Sequence, residues 1–119
     1  MKKEYRIKKS EEIAAICKRK VKVYSKYFYI YYQKGINHIR VAFSTSKKYG
    51  HAYERNYARR VLRNVIYQNM DLDLPIDMVI VVKNEFKEAN FDEITNAFKM
   101  CLKILLKNIN KEEKTNEIN

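Results

Sequence analysis

The segment ERNYARRVLRNVI (Glu54–Ile66) places four arginines within thirteen residues. A guanidinium is a planar fork of N–H donors that matches phosphate oxygens two at a time. Wound as a helix at about 100° per residue with Arg55 at zero, Arg59 falls near 40°, Asn56 near 100°, Arg63 near 80° and Arg60 near 140°. Ala58, Val61, Leu62 and Val65 gather at about 240–340°, with Ile66 at their edge. The apolar arc docks the helix; the opposite arc presents three arginines in a row and a fourth alongside. A solvated helix face usually mixes acids and bases at i,i+4, because like charges so placed cost each other about 0.2–0.5 kcal/mol per pair. Arg55, Arg59 and Arg63 have no acid between them. An external polyanion offsets that repulsion, so the stripe reads as a phosphate-binding surface. Lys47, Lys48 and Gly50 precede the helix and extend the positive surface.

Other chemistry finds less support. Hydrolysis of a phosphodiester needs a carboxylate cluster that holds a metal, or a general base such as histidine. His38 and His51 are isolated, and Asp71, Asp73 and Asp77 surround Pro75 in what reads as a solvated turn. The sequence therefore offers no protein-borne catalytic constellation. Cys17 and Cys101 stand among apolar neighbours without metal-ligand spacing, and buried reduced thiols are expected. A second candidate surface is YFYIYY (Tyr27–Tyr32). Tyr27, Tyr29 and Tyr31 share one side of a strand, Phe28, Ile30 and Tyr32 the other, and one side must be core. The other offers rings on which unpaired bases stack, with Arg6, Lys8 and Lys9 nearby in sequence. Spacing alone leaves that reading level with plain core lining.

The elements that must position these residues follow from periodicity. Ser10, followed by Glu11 and Glu12, is a helix start with Ser10 as cap; Ile13, Ile16 and Cys17 give that helix an apolar face. Val21 to Thr45 is rich in β-formers and makes two or three antiparallel strands, with Gln33–Asn37 a connection suited to a hairpin. Helical spacing returns from about Ala52 to Gln68 and ends before Pro75. MVIVV (Met78–Val82) reads as a central strand covered on both faces. Phe91, Ile94, Ala97, Phe98, Cys101, Leu102 and Leu105 trace a last amphipathic helix. A hairpin sheet with helices packed mainly on one side is an α+β sandwich.

The 119 residues fit one domain, expected over 1–110, with a frayed tail at 111–119. Twenty-five Lys and Arg against fourteen Asp and Glu give a net charge of +11, which suits a polyanionic partner. No stretch of 18 apolar residues occurs, and the charged N-terminus has no signal-peptide pattern, so no membrane partner and a cytoplasmic location are expected.

RIKKSEE near the start, SKKYG before the arginine helix and RNYARRVLR within it resemble the bacterial RNase P protein subunit. That family carries a basic R-L-K-K-like start, an S-K-K-x-G turn and an R-N-R-x-(K/R)-R-x-x-R signature. The similarity runs in register from about Arg6 to Val82 and includes the acidic residue of DMVIVV before a buried strand. The resemblance implies a single-domain αβββαβα sandwich, ribosomal protein S5 domain 2-like, with a left-handed βαβ crossover that departs from the usual hand. It implies binding to the RNase P catalytic RNA and to the single-stranded 5′ leader of precursor tRNA, assisting endonucleolytic 5′ maturation. The chemistry is then carried by the RNA with Mg2+ bound by that RNA, and the protein holds no cofactor. Lys47, Lys48, Arg55, Asn56, Arg59, Arg60 and Arg63 match the RNA-binding positions. Arg6, Lys9, Ile13, Cys17 and Tyr31 match the leader-binding cleft. Two departures stand out: Tyr57 occupies the third signature position, usually arginine and here expected at the rim of the core stripe, and Ile13 and Cys17 replace two aromatics common on the first helix. A ribosomal or other structural RNA-binding protein is the alternative. No helix-turn-helix pair supports DNA as a partner.

Overall fold

The apolar run at Met78–Val82 becomes the middle of a four-stranded sheet. In the computed structural model, which describes the backbone of residues 2–118 and the side chains of 2–111, the strands are β1 (Lys22–Tyr24), β2 (Phe28–Lys34), β3 (Arg40–Ser44) and β4 (Ile76–Val82). Their spatial order is β1-β2-β4-β3, with β4 antiparallel to β2 and parallel to β3. The central position explains the composition of β4: Met78, Ile80 and Val82 face one core, and Val79 faces a second.

The expected hairpin across Gln33–Asn37 does not form, because β4 lies between β2 and β3. The connection closes on the chain leading into β4 instead: Gly35 N–H donates to the Pro75 carbonyl at 2.7 Å, and Ile39 N–H to the Leu72 carbonyl at 3.0 Å. A Cβ at Gly35 would lie 3.1 Å from the Asp77 carboxylate and from the backbone of Pro75 and Ile76, so the close approach favours glycine. The hairpin is β1–β2, turned by Ser25, whose Oγ accepts from Phe28 N–H at 3.1 Å.

Three helices cover the sheet: α1 (Ser10–Lys18), α2 (Ala52–Asn69) and α3 (Phe91–Ile118). Phe28, Ile30 and Tyr32 face α2 and α3 and pack with Leu62, Ile66, Phe98 and Leu105. Tyr27 joins this side too, since it precedes β2; its hydroxyl donates to Glu93 at 2.8 Å. On the opposite face α1 lays Ile16 against Ala42, Val79 and Ile7, leaving Tyr29 and Tyr31 half-buried. α1 begins at Ser10 itself, after Lys9, and no side chain caps it. α3 is capped: Asn90 Oδ1 accepts from Glu93 N–H at 2.8 Å and Glu93 returns the bond to Asn90 N–H at 3.1 Å, a capping box.

Asp77, expected in a solvated turn, is 2% exposed inside β4. Arg40 grips both its oxygens, Nε at 3.0 Å and a terminal nitrogen at 2.9 Å, and Gln33 donates at 3.0 Å. The other Arg40 nitrogen reaches Glu12 at 2.8 Å, so one guanidinium ties α1 to two strands. Of the tail expected to fray, the side chains of 112–119 and the backbone of Asn119 lie outside the described residues. Among the described residues no helix is long and apolar enough to cross a membrane.

Candidate nucleic-acid interface

The start of α2 is built by the turn that precedes it. Lys47 and Lys48 are exposed on the short turn Lys47–Tyr49, while Tyr49 is buried beneath. Gly50 follows at φ 156° and ψ −166°, a region that belongs to glycine. Its missing Cβ would sit 2.8 Å from the Glu54 carboxylate. That space lets Glu54 turn back and accept from His51 N–H at 3.1 Å. Arg55 then donates to the Gly50 carbonyl at 2.8 Å, so the first arginine braces the turn that carries Lys47 and Lys48.

Arg59 and Arg63 lean the other way, over the outer edge of the sheet. Arg59 donates to Thr45 Oγ1 at 3.2 Å and to Asn56 Oδ1 at 3.4 Å. Arg63 lies 5.7 Å from the centroid of Phe43, a cation–π contact. Arg6 arrives from a distant part of the sequence because Ile7 N–H donates to the Val41 carbonyl at 3.1 Å and a bridge pairs Arg6 with Val41 alongside β3. Arg6, Ile13, Phe43, Arg59 and Arg63 thus line one groove of about 210 Å³ between α1, β3 and α2. Burial, and then repulsion by Arg6 and Arg59, push the Arg63 pKa below its ordinary value. Its Nε–H is buried with no hydrogen-bond partner. Among the described residues no acid pairs with Arg6, Arg59 or Arg63, and the groove gathers positive charge.

Arg60 does not join this stripe. It is exposed on the opposite flank of α2 and lines a separate cavity with Tyr53 and Tyr57. Tyr57, expected at the rim of the core, is 62% exposed there. Asn56 is exposed between the flanks.

The α1 face of the sheet carries a cluster that sequence reasoning found only in part. Tyr31, Ile13 and Cys17 pack around the smaller core. Beside them Lys22 sets its ammonium 5.1, 5.2 and 5.0 Å from the ring centroids of Tyr24, Tyr29 and Tyr31. It donates to the Tyr31 hydroxyl at 3.3 Å. Hydrogen bonds to Tyr24 and Tyr31 raise the Lys22 pKa, and burial raises that of the Cys17 thiol. Lys22 and Tyr24 escaped notice because a three-residue strand shows no periodicity; only its register, Lys22 opposite Tyr31 and Tyr24 opposite Tyr29, brings them together. Lys9 is exposed just before α1.

The remaining candidates for chemistry are engaged locally. His38 Nδ1 lies 2.8 Å from the Ile39 carbonyl, and His51 stacks on Tyr53 with centroids 5.7 Å apart. Both cysteines are free thiols, Cys101 buried and Cys17 half-buried. Among the described residues no group of three or more His, Cys, Asp or Glu could hold a metal ion.

Comparison with known proteins gives a consistent result. The family model described as Ribonuclease P matches residues 1–106. The Ribonuclease P protein component of Staphylococcus carnosus is 34% identical over 106 residues, covering 87% of this chain and 92% of that protein. That of Onion yellows phytoplasma is 37% identical over 101 residues, covering 82% and 72%. The solved Staphylococcus aureus RNase P protein superposes with a TM-score of 0.76 at 30% identity, over 85% of this chain and 94% of the other. The Thermotoga maritima RNase P protein, at 20% identity and a TM-score of 0.69 over 78% of this chain and 90% of its own, shares the fold. The ribosomal alternative finds no support among these relatives.

Proposed function

The chain belongs to the ribonuclease P protein family and is a component of that ribonucleoprotein in tRNA processing; we propose that α2 and its preceding turn hold the catalytic RNA, while the face beneath α1 holds the single-stranded 5′ leader of precursor tRNA. The observation that carries this division is the groove where Arg6, Arg59 and Arg63 converge from two distant segments. Three guanidiniums in one groove, without acidic partners among the described residues, gain most from a ligand with closely spaced phosphates, since each contact releases condensed counterions. Lys47, Lys48 and Arg55 continue that surface around the start of α2, and Asn56 adds an amide within it. On the other side of α1, Tyr31 with Tyr29, Tyr24 and Lys22 supplies rings for unpaired bases and a cation for the backbone between them. Ile13 and Cys17 form an apolar wall there, with Arg6 and Lys9 at its margins.

In this reading the protein binds and orients, and phosphodiester hydrolysis belongs to the RNA with Mg2+ held by that RNA. Asp77, buried in β4, already accepts three hydrogen bonds from Arg40 and Gln33. The reading places the protein in the cytoplasm with RNA partners, and with neither DNA nor a membrane. The test is reconstitution with the cognate RNase P RNA at low Mg2+. Added protein is expected to stimulate precursor-tRNA cleavage. Protein that cleaves without RNA, or that leaves the RNA's cleavage rate unchanged, would overturn the proposal.

A further inference from the structure

The flank of α2 that faces away from the arginine groove holds a cavity of about 570 Å³, within the size range of small-molecule sites. It is closed by α2, the Asn84–Glu88 turn and the start of α3, and the side chains that matter are Tyr53, Tyr57, Phe91, Arg60 and Lys87. Tyr53 is 71% exposed, Tyr57 62% and Phe91 42%. Single exposed aromatics are ordinary, but three around one cavity form a patch of the kind that marks a binding surface. Two cations edge it: Arg60 from α2, and Lys87, whose ammonium lies 4.8 Å from the ring centroid of buried Tyr49. Glu54, also in the lining, has its carboxylate turned back to accept from His51 N–H.

We propose that this cavity is a second RNA site, which takes one unpaired nucleotide of the catalytic RNA, its base stacked on Tyr57 and its phosphate held between Arg60 and Lys87. The inference rests on the ribonuclease P reading above and extends it to the tyrosine that replaces a signature arginine and to Lys87, which lies outside the signature. Aromatic rings flanked by cations are the chemistry that holds unpaired nucleotides of any sequence. Location selects the catalytic RNA over the leader. The cavity lies on the α2–α3 side of the sheet, whereas Tyr31 and Lys22 lie on the α1 side. A helix with its side chains is about 10–12 Å across, so RNA seated on the arginine flank can reach the other flank.

The test measures the dissociation constant of the catalytic RNA and the chemical reactivity of its unpaired bases, with wild-type protein and with Tyr57→Ala, Tyr57→Phe and Lys87→Ala. Tyr57→Ala is expected to weaken binding about tenfold and to restore reactivity at one base that wild-type protein shields. Tyr57→Phe keeps the ring and is expected to keep the protection; Lys87→Ala weakens binding and lowers its salt dependence. These side chains stand at the surface, and unchanged melting temperatures show that the variants fold. If wild-type protein binds and Tyr57→Ala matches it in both affinity and base reactivity, the pocket proposal falls alone. If wild-type protein does not bind the catalytic RNA, the ribonuclease P reading falls, and the pocket with it.

Discussion

Replacing Arg63 with methionine is expected to make the free protein more stable and its RNA complex weaker. The guanidinium of Arg63 sits in a groove with Arg6 and Arg59, and its Nε–H is buried without a partner. An unsatisfied buried donor costs about 1–3 kcal/mol. Against that stands the cation–π contact with Phe43 at 5.7 Å, worth about 0.5–1 kcal/mol at a partly exposed site. Methionine keeps an unbranched apolar stem against the ring, and its sulfur makes a favourable aromatic contact of its own. The net change is a stabilisation of about 1 kcal/mol, which for a domain of this size raises the melting temperature by roughly 3–6 °C. The same substitution removes one phosphate contact, so the slope of log K against log salt should shrink by about 0.7–0.9. Thermal unfolding followed by circular dichroism reads the first effect, and filter binding across a KCl series reads the second. A melting temperature lowered by several degrees would show that Arg63 is satisfied in the free protein. An unchanged salt slope would show that it touches no phosphate. Either result refutes the reasoning.

Three further outcomes follow from the geometry. Asp77→Ala leaves Arg40 facing a buried vacancy and should cost about 3 kcal/mol in urea unfolding; a loss below about 0.5 kcal/mol would mean that Glu12 alone satisfies Arg40. Glu93 has a pKa lowered by the Asn90 backbone N–H and then by the Tyr27 hydroxyl, so its stabilising effect is complete above the ordinary glutamate value of about 4.3 and disappears as pH falls through the lowered one. The melting temperature of Glu93→Gln should therefore lie below that of wild type at neutral pH and converge with it in acid, and a gap that persists at the lowest pH would count against the capping box. Tyr31→Ala should reduce affinity for precursor tRNA more than for mature tRNA, because only the precursor has a leader to stack; equal losses would remove Tyr31 from the leader face.

The parts of the fold that were legible in the sequence are those that a single element determines. MVIVV could be placed at the centre of the sheet because a strand covered on both faces has no polar alternation. The docking face of α2 was legible because Ala58, Leu62, Val65 and Ile66 recur at helical spacing. Strand order was not, since it depends on contacts between distant segments. Gly35 against Pro75, and Arg40 against Asp77, draw β4 between β2 and β3. Those same contacts bury an aspartate that local composition assigned to a solvated turn. Lys22 and Tyr24 were invisible for a similar reason: three residues carry no period, and their meaning comes from the strand opposite.

The arginine helix shows where a wheel projection stops being informative. Angles of about 40° and 80° for Arg59 and Arg63, and about 140° for Arg60, describe one broad basic arc. What divides the arc is what packs on each side. Thr45, Phe43 and Arg6 stand beside one flank, and the start of α3 with Lys87 stands beside the other. Tyr57 lies on the second flank, three residues before Arg60. An arginine at position 57 would place a third cation in a cavity that already holds Arg60 and Lys87, and like charges at that spacing on a helix repel. Tyrosine removes that repulsion and leaves an exposed ring in its place. At this position the departure from the family signature therefore exchanges a point of charge attraction for a stacking surface, while the opposite flank keeps its three converging guanidiniums.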